Sequence, residues 1–169
     1  MRILILFTFL ITNALGNELP DLKNLVVHKI PKIYDNIIFL DDENKEINIQ
    51  NLESQLSVLN FWATWCEPCK EEMPSLNRLQ VNKKVKNLKI YPINISKESL
   101  NKVNSFFAEL GIDNLEPYFD NPSTLAKTFS LRGIPTTILL NFKGEELARI
   151  IGSIKFDDEN FINWLKNLN

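Results

Sequence analysis

Cysteine is nearly absent from this chain: Cys66 and Cys69 are the only two among 169 residues, and a dipeptide separates them. A small secreted scaffold stapled by several bridges is thereby excluded. Histidine is scarcer still, His28 being the only one. Zinc wants four ligands, and two thiols with one remote imidazole do not supply them, so no metal centre is expected. Methionine occurs at Met1 and Met73 alone, and there is no Met-rich or His-rich tract to hold a soft metal ion. An excess of positive charge is also missing. Nineteen basic against 21 acidic residues leave a net charge of −2 with no basic patch, which removes nucleic acid from the plausible partners. No repeat or low-complexity segment appears. Charge runs such as Asp41-Asp42-Glu43 and Lys83-Lys84 read as solvated faces rather than binding sites.

What is present describes one globular domain of mixed class, 44% hydrophobic and 24% charged. Residues 1–16 differ from the rest. Arg2 precedes an apolar run from Ile3 to Ile11, and Ala14-Leu15-Gly16 puts small residues where a signal peptide is cut. The run falls short of the roughly 20 apolar residues that span a bilayer. Residues 1–16 are therefore read as a signal peptide, with a short membrane anchor over residues 2–15 as the alternative. Either places the remainder, a single domain over 17–169, in a periplasmic or other extracytoplasmic compartment where thiols oxidise.

Residues 17–54 read as an N-terminal extension. Ile37–Leu40 and Ile47–Ile49, on either side of a polar turn, form a β-hairpin within it. Leu56–Trp62 is the first core strand. Cys69, Met73, Leu76 and Leu79 recur at helical spacing, and Pro74 inside that pattern predicts a kink. Ile90–Ile95 is a strand, and Leu100, Val103, Phe106 and Leu110 line a helix ending at Gly111. Asn121-Pro122 opens another helix with a cap and a first-turn proline. Thr136–Leu140 and Leu147–Ile151 pair through Lys143-Gly144, and Phe161, Trp164, Leu165 and Leu168 mark a C-terminal amphipathic helix. Strands alternating with helices give an α/β sheet covered on both faces.

Two cysteines around a dipeptide close a disulfide ring and open it again without rearranging a fold. A purely structural bridge is the competing reading. A chain of this length needs no staple, and so short a loop removes little unfolded-state entropy.

Asn60-Phe61-Trp62-Ala63-Thr64-Trp65-Cys66-Glu67-Pro68-Cys69 resembles the active-site segment of the thioredoxin superfamily, and Gly133-Ile134-Pro135-Thr136-Thr137 resembles its cis-proline loop. Over roughly residues 30–168 the chain is most similar to the exported TlpA/ResA-like thiol–disulfide oxidoreductases. That resemblance implies a thioredoxin fold: a central mixed sheet flanked by helices, with an N-terminal β-hairpin and a mid-domain helix–strand insertion. Glu98–Leu110 and Leu115–Phe119 would be the insertion. It also implies a protein-disulfide reductase working by dithiol–disulfide exchange, with no cofactor beyond the Cys66–Cys69 pair. Electrons would come from a membrane thiol carrier, and the targets would be oxidised cysteines of exported apocytochrome c or copper-centre proteins. Thr136, where cytochrome-dedicated relatives often carry an acid, tilts the reading toward copper-centre maturation. A monomer is expected. A Cu(I) chaperone or peptide-binding module of the same fold stands as the alternative, since thiolates suit that ion.

Cys66 falls at the start of a helix, facing unpaired amides and the positive end of the dipole, which favours its thiolate. Cys69, one turn in, is more buried. Cys66 is thus the attacking thiol and Cys69 the resolving one. Trp65, Pro68, Ile134 and Pro135 are the candidate target-binding residues. Glu67 and Glu72 disfavour thiolate and push the couple toward the reducing end. Thioredoxins commonly carry an aspartate where this chain has Asn60, which does not titrate. Glu72, three residues beyond Cys69 on the same helical face, is the candidate acid–base in its place; a solvent-facing acid at the helix start is the competing reading.

Overall fold

Leu56–Trp62 (β4) is buried at every position, and a strand covered on both faces belongs in the middle of a sheet. The computed structural model, which describes residues 20–168 except 36, 52, 121 and 122, puts it there. Leu88–Asn94 (β5) runs parallel beside it and Thr136–Asn141 (β7) antiparallel on its other side. The sheet continues through Glu146–Ile151 (β8) to Leu25–Lys32 (β1) at one end. At the other it continues through Tyr118–Phe119 (β6) to the hairpin Ile38–Leu40 (β2) and Glu46–Asn48 (β3). The order of the eight strands is β1-β8-β7-β4-β5-β6-β2-β3.

The helices Glu67–Gln80 (α1), Leu100–Glu109 (α2) and Glu159–Leu168 (α4) bury one face of this sheet, contributing Cys69, Met73, Phe106, Phe161 and Trp164 to a shared apolar cluster. Leu125–Thr128 (α3) and the segment from Ile37 to Ile49 cover the opposite face with Leu125, Phe129, Phe39 and Ile49. The expected mixed α/β sheet with its hairpin and helix–strand insertion is present, α2 and β6 being the insertion. Helix α2 ends as its sequence requires. Gly111, at φ +65°, takes the left-handed position, and Ile112 N–H reaches back to Phe107 C=O at 2.9 Å. Helix α1 runs on through Pro74.

Two expectations need correction. Residues 25–32 are an eight-residue edge strand, in a part of the N-terminal extension where the sequence assigns no strand. The helix expected from Asn121-Pro122, two residues outside those described, begins at Leu125. Its N-cap Thr124 makes no side-chain cap bond; instead the Asp120 carboxylate accepts from Thr124 N–H and Leu125 N–H, each at 3.0 Å. The expected leader, 1–16, also lies outside the described residues. Among those described, no helix is long and apolar enough to cross a membrane.

Edge strand β1 is held by a buried polar knot. Glu146, fully buried, accepts from Arg149 Nε at 2.6 Å and from Tyr34 Oη at 2.5 Å, and lies 2.6 Å from His28 Nε2. Burial alone would raise its carboxyl. The hydrogen bonds from Arg149, Tyr34 and His28 outweigh burial and hold it below the usual carboxylate range. Stability from this group is therefore present above the ordinary carboxylate range and lost as pH falls through the depressed value. Glu146→Ala leaves the largely buried Arg149 cation, 11% exposed, without its carboxylate partner. We expect it to cost about 3–5 kcal/mol in urea unfolding at pH 7, and a loss under 1 kcal/mol would show the knot to be dispensable.

Candidate active site

The loop from β4 into α1 carries the cysteines, and its approach is tied down by the insertion. Glu98, six per cent exposed, accepts from Thr64 N–H at 3.0 Å and Asn94 Nδ2 at 2.7 Å, and it also bonds the Thr64 hydroxyl and Lys102 Nζ. Burial would raise the Glu98 carboxyl, but these four donors draw it down to about 2. The group stays ionised near neutral pH, so the clamp on Thr64 does not depend on its protonation there.

Cys66 is the N-cap of α1. Its backbone is extended, at φ −88° and ψ 102°, and its Sγ accepts the Cys69 backbone N–H at 3.3 Å. Sulfur here occupies the place a serine or aspartate oxygen takes at other helix starts, the position that favours a thiolate. The two sulfurs are bonded, 2.06 Å apart. Cys66 keeps five per cent of its surface exposed and Cys69 none, so the outward sulfur is Cys66, although it is more enclosed than its place at the helix start suggested.

Glu72 lies one turn beyond Cys69 and is two per cent exposed, which rules out the solvent-facing reading. Its Oε1 accepts from Asn60 Nδ2 at 2.8 Å and its Oε2 from Ile154 N–H at 3.4 Å. Burial pushes its carboxyl up to about 8, more strongly than these two donors pull it down. That value lies within the ordinary range of a free cysteine thiol.

The Ile134–Pro135 peptide is cis. Pro135 is buried and its carbonyl accepts from Gly152 N–H at 2.8 Å. Trp65, two-thirds exposed, and Ile134 meet across a cavity of about 290 Å3, completed by Ile95, Leu131 and Arg132. The structure thus joins two of the sequence-predicted target-binding residues in one recess. Pro68 is exposed on the first turn of α1 and lines no part of that recess. Arg132, exposed at the recess, was missed by sequence reasoning because a lone arginine in a turn carries no motif.

A redox-active pair at a helix start, on a sheet of this topology and beside a cis-proline loop, defines a thiol–disulfide oxidoreductase. The chain belongs to the Redoxin family, whose model matches residues 14–161. Among its relatives, the thiol–disulfide oxidoreductase ResA of Bacillus thuringiensis (strain Al Hakam) is 30% identical over 124 residues, 73% of this chain and 70% of that one. ResA of Bacillus subtilis (strain 168) is 29% identical over 119 residues, 70% of this chain and 65% of that one. Of solved structures, StoA from Bacillus subtilis superposes with a TM-score of 0.63 at 26% identity, covering 82% of this chain and 98% of its own. A secreted thiol–disulfide isomerase from Corynebacterium glutamicum superposes at 0.70 with 21% identity, covering 89% and 96%, and shares the fold.

Proposed function

We propose that this protein is an exported reductant of disulfides in other exported proteins. The observation that carries the reading is the pairing of a helix-capping Cys66 with a buried Glu72 one turn beyond its partner Cys69. Cys66 thiolate attacks one sulfur of the target disulfide and forms a mixed disulfide, while the target's other sulfur leaves as thiolate and takes a proton from solvent. Cys69 then gives its proton to the Glu72 carboxylate and attacks Cys66. The Cys66–Cys69 bond forms, and the target's second sulfur leaves with the proton from Glu72. Glu72 is on this reading the acid–base group of the resolving step. The two thiols carry both electrons, so no cofactor is required. Trp65, Ile134 and the recess between them receive the target segment, with Pro68 and Pro135 as further contacts outside that recess. The apolar leader over residues 1–16 supports a role outside the cytoplasm, where a membrane thiol carrier would recharge the pair. Oxidised cysteines of apocytochrome c or of copper-centre proteins are the target class, and Thr136 favours the copper centre.

Redox poise tests the direction. The exposed Glu67 beside Cys66 disfavours a thiolate there, and Glu72, mostly protonated at neutral pH, adds its charge only as pH rises, so equilibration against a thiol buffer should give a potential nearer the roughly −270 mV of thioredoxin than the roughly −120 mV of the strongest oxidant. Glu67→His should raise it. A wild-type value close to the oxidant end would reverse the assignment to an oxidase. Strong Cu(I) binding without reduction of a protein disulfide would transfer it to the metal-carrier class.

A further inference from the structure

Asn60 sits fully buried in the middle of β4. Its amide hydrogens are both committed, Nδ2 donating to Glu72 Oε1 at 2.8 Å and to Thr137 Oγ1 at 2.9 Å. Its Oδ1 is buried and accepts from nothing while the disulfide is closed. A buried carbonyl left without a donor is costly, and such orphans are rare enough to need a reason. Strand alternation shows where this amide lies. Val58 and Trp62, two residues to either side, pack in the cluster that holds Cys66, Cys69 and Met73, whereas Leu59 and Phe61 pack in the opposite one. Asn60 therefore lies under α1. Glu72 is bonded to it there, and Cys69 is one turn back on the same stripe of that helix. In the disulfide, Cys69 sulfur has no hydrogen to offer. Reduction creates two thiols; Cys66 is the outward one at the helix start, so the donor added beneath α1 is the Cys69 S–H.

We propose that Asn60 is the positioning residue of the resolving thiol: its Oδ1 accepts the Cys69 S–H in the reduced protein while its Nδ2 holds the Glu72 carboxylate. One planar amide then sets the proton donor and the proton acceptor side by side, and the orphaned oxygen of the oxidised form is the vacant half of that arrangement. The inference rests on Glu72 being the base for Cys69. The amide exchanges no proton itself. The Cys69 proton passes to the Glu72 carboxylate, the Cys69 thiolate displaces the target sulfur from Cys66, and that sulfur recovers the proton, so the cycle closes with Asn60 unchanged. Thr137, anchoring the second amide hydrogen from β7, fixes the plane of the bracket.

Two measurements on the full chain test this. In the wild type, carbon-13 and nitrogen-15 NMR of the Asn60 side chain is compared in oxidised and reduced protein at pH 6. The carbonyl carbon should shift on reduction as it gains a donor, with the Nδ2 hydrogens protected from exchange in both forms. An Asn60 carbonyl indifferent to reduction overturns the proposal, and this arm needs no variant to fold. In the second, Asn60→Leu is followed by quenched-flow through the formation and decay of the mixed disulfide. Formation at Cys66 should stay within about 2-fold of wild type, and decay by Cys69 should slow at least 10-fold. Decay at the wild-type rate in a folded Asn60→Leu protein overturns the proposal. Glu72→Gln, run in parallel, separates the two readings. If it slows decay and Asn60→Leu does not, only the Asn60 inference falls. If Glu72→Gln also decays normally, the acid–base role of Glu72 falls and takes the Asn60 inference with it.

Discussion

Cys69→Ser protein made in its own cell should be recovered covalently joined to its target, and Cys66→Ser protein should reduce no protein disulfide above background. The asymmetry follows from the first turn of α1. Cys66 Sγ already accepts a helix amide, so ionising it adds charge where a donor and the positive dipole end await it. A free thiol with pKa ~8.5 is only a few per cent ionised at neutral pH, and helix-start cysteines are brought down as far as ~3.5–7.5. A serine at position 66 has no comparable anion and makes no attack. A serine at 69 leaves the attack intact and removes the only internal sulfur able to release the target. Non-reducing gels followed by mass spectrometry read the outcome and name the partner. Capture by Cys66→Ser in place of Cys69→Ser would invert the two roles.

The second large effect concerns pH. With the Glu72 carboxyl near 8, only about one molecule in ten carries the base at pH 7. The base fraction grows as pH rises through 8, so resolution should accelerate over that interval. Glu72→Gln removes the base and should slow reduction of a protein disulfide by about 10²–10⁴-fold near neutrality. The gap should narrow above pH 9, where Cys69 ionises unaided. Stability moves the opposite way. An unfolded glutamate titrates near 4.5 and this folded one near 8, so between those values the native state holds more protons than the unfolded state. Wild-type stability then falls with rising pH by up to about 1.4 kcal/mol per unit from this group alone. The glutamine variant lacks that slope and should gain relative stability from pH 5 to pH 8 in parallel urea titrations. A variant with an unchanged pH–rate profile and an unchanged pH–stability slope would make Glu72 a bystander.

The parts of this fold legible from sequence are those whose pattern is local. The apolar run before Cys66, the helical stripe through Met73 and Leu76, and the Lys143-Gly144 turn each state their own conformation. Strand β1 was not legible because its sequence, with Pro31 and three half-exposed or exposed valines and isoleucines among lysines, shows no alternation. It is a strand because β8, some 120 residues away, pairs with it: Leu25 lies opposite Ile150. Helix α3 starts at Leu125, later than Asn121-Pro122 advertised, because the Asp120 carboxylate, not a side chain at the expected start, holds its first amides. At the site, spacing placed Glu72 on the Cys69 face. Its burial came from Asn60 on β4 and Ile154 beyond β8, which no helical periodicity reports.

The segment before Leu56 supplies β1 to one end of the sheet and the β2–β3 hairpin to the other. A chain shortened to begin at residue 55 would retain both cysteines, Glu72 and every helix, and yet bare β8 and β6 at once. Each would present a row of unmatched backbone donors and acceptors to neighbouring molecules, at opposite ends of the same sheet. Such a molecule can add copies in both directions, which is the geometry of a filament. The N-terminal extension is thus a pair of bookends, and the price of trimming it would be paid in solubility before it was paid in chemistry.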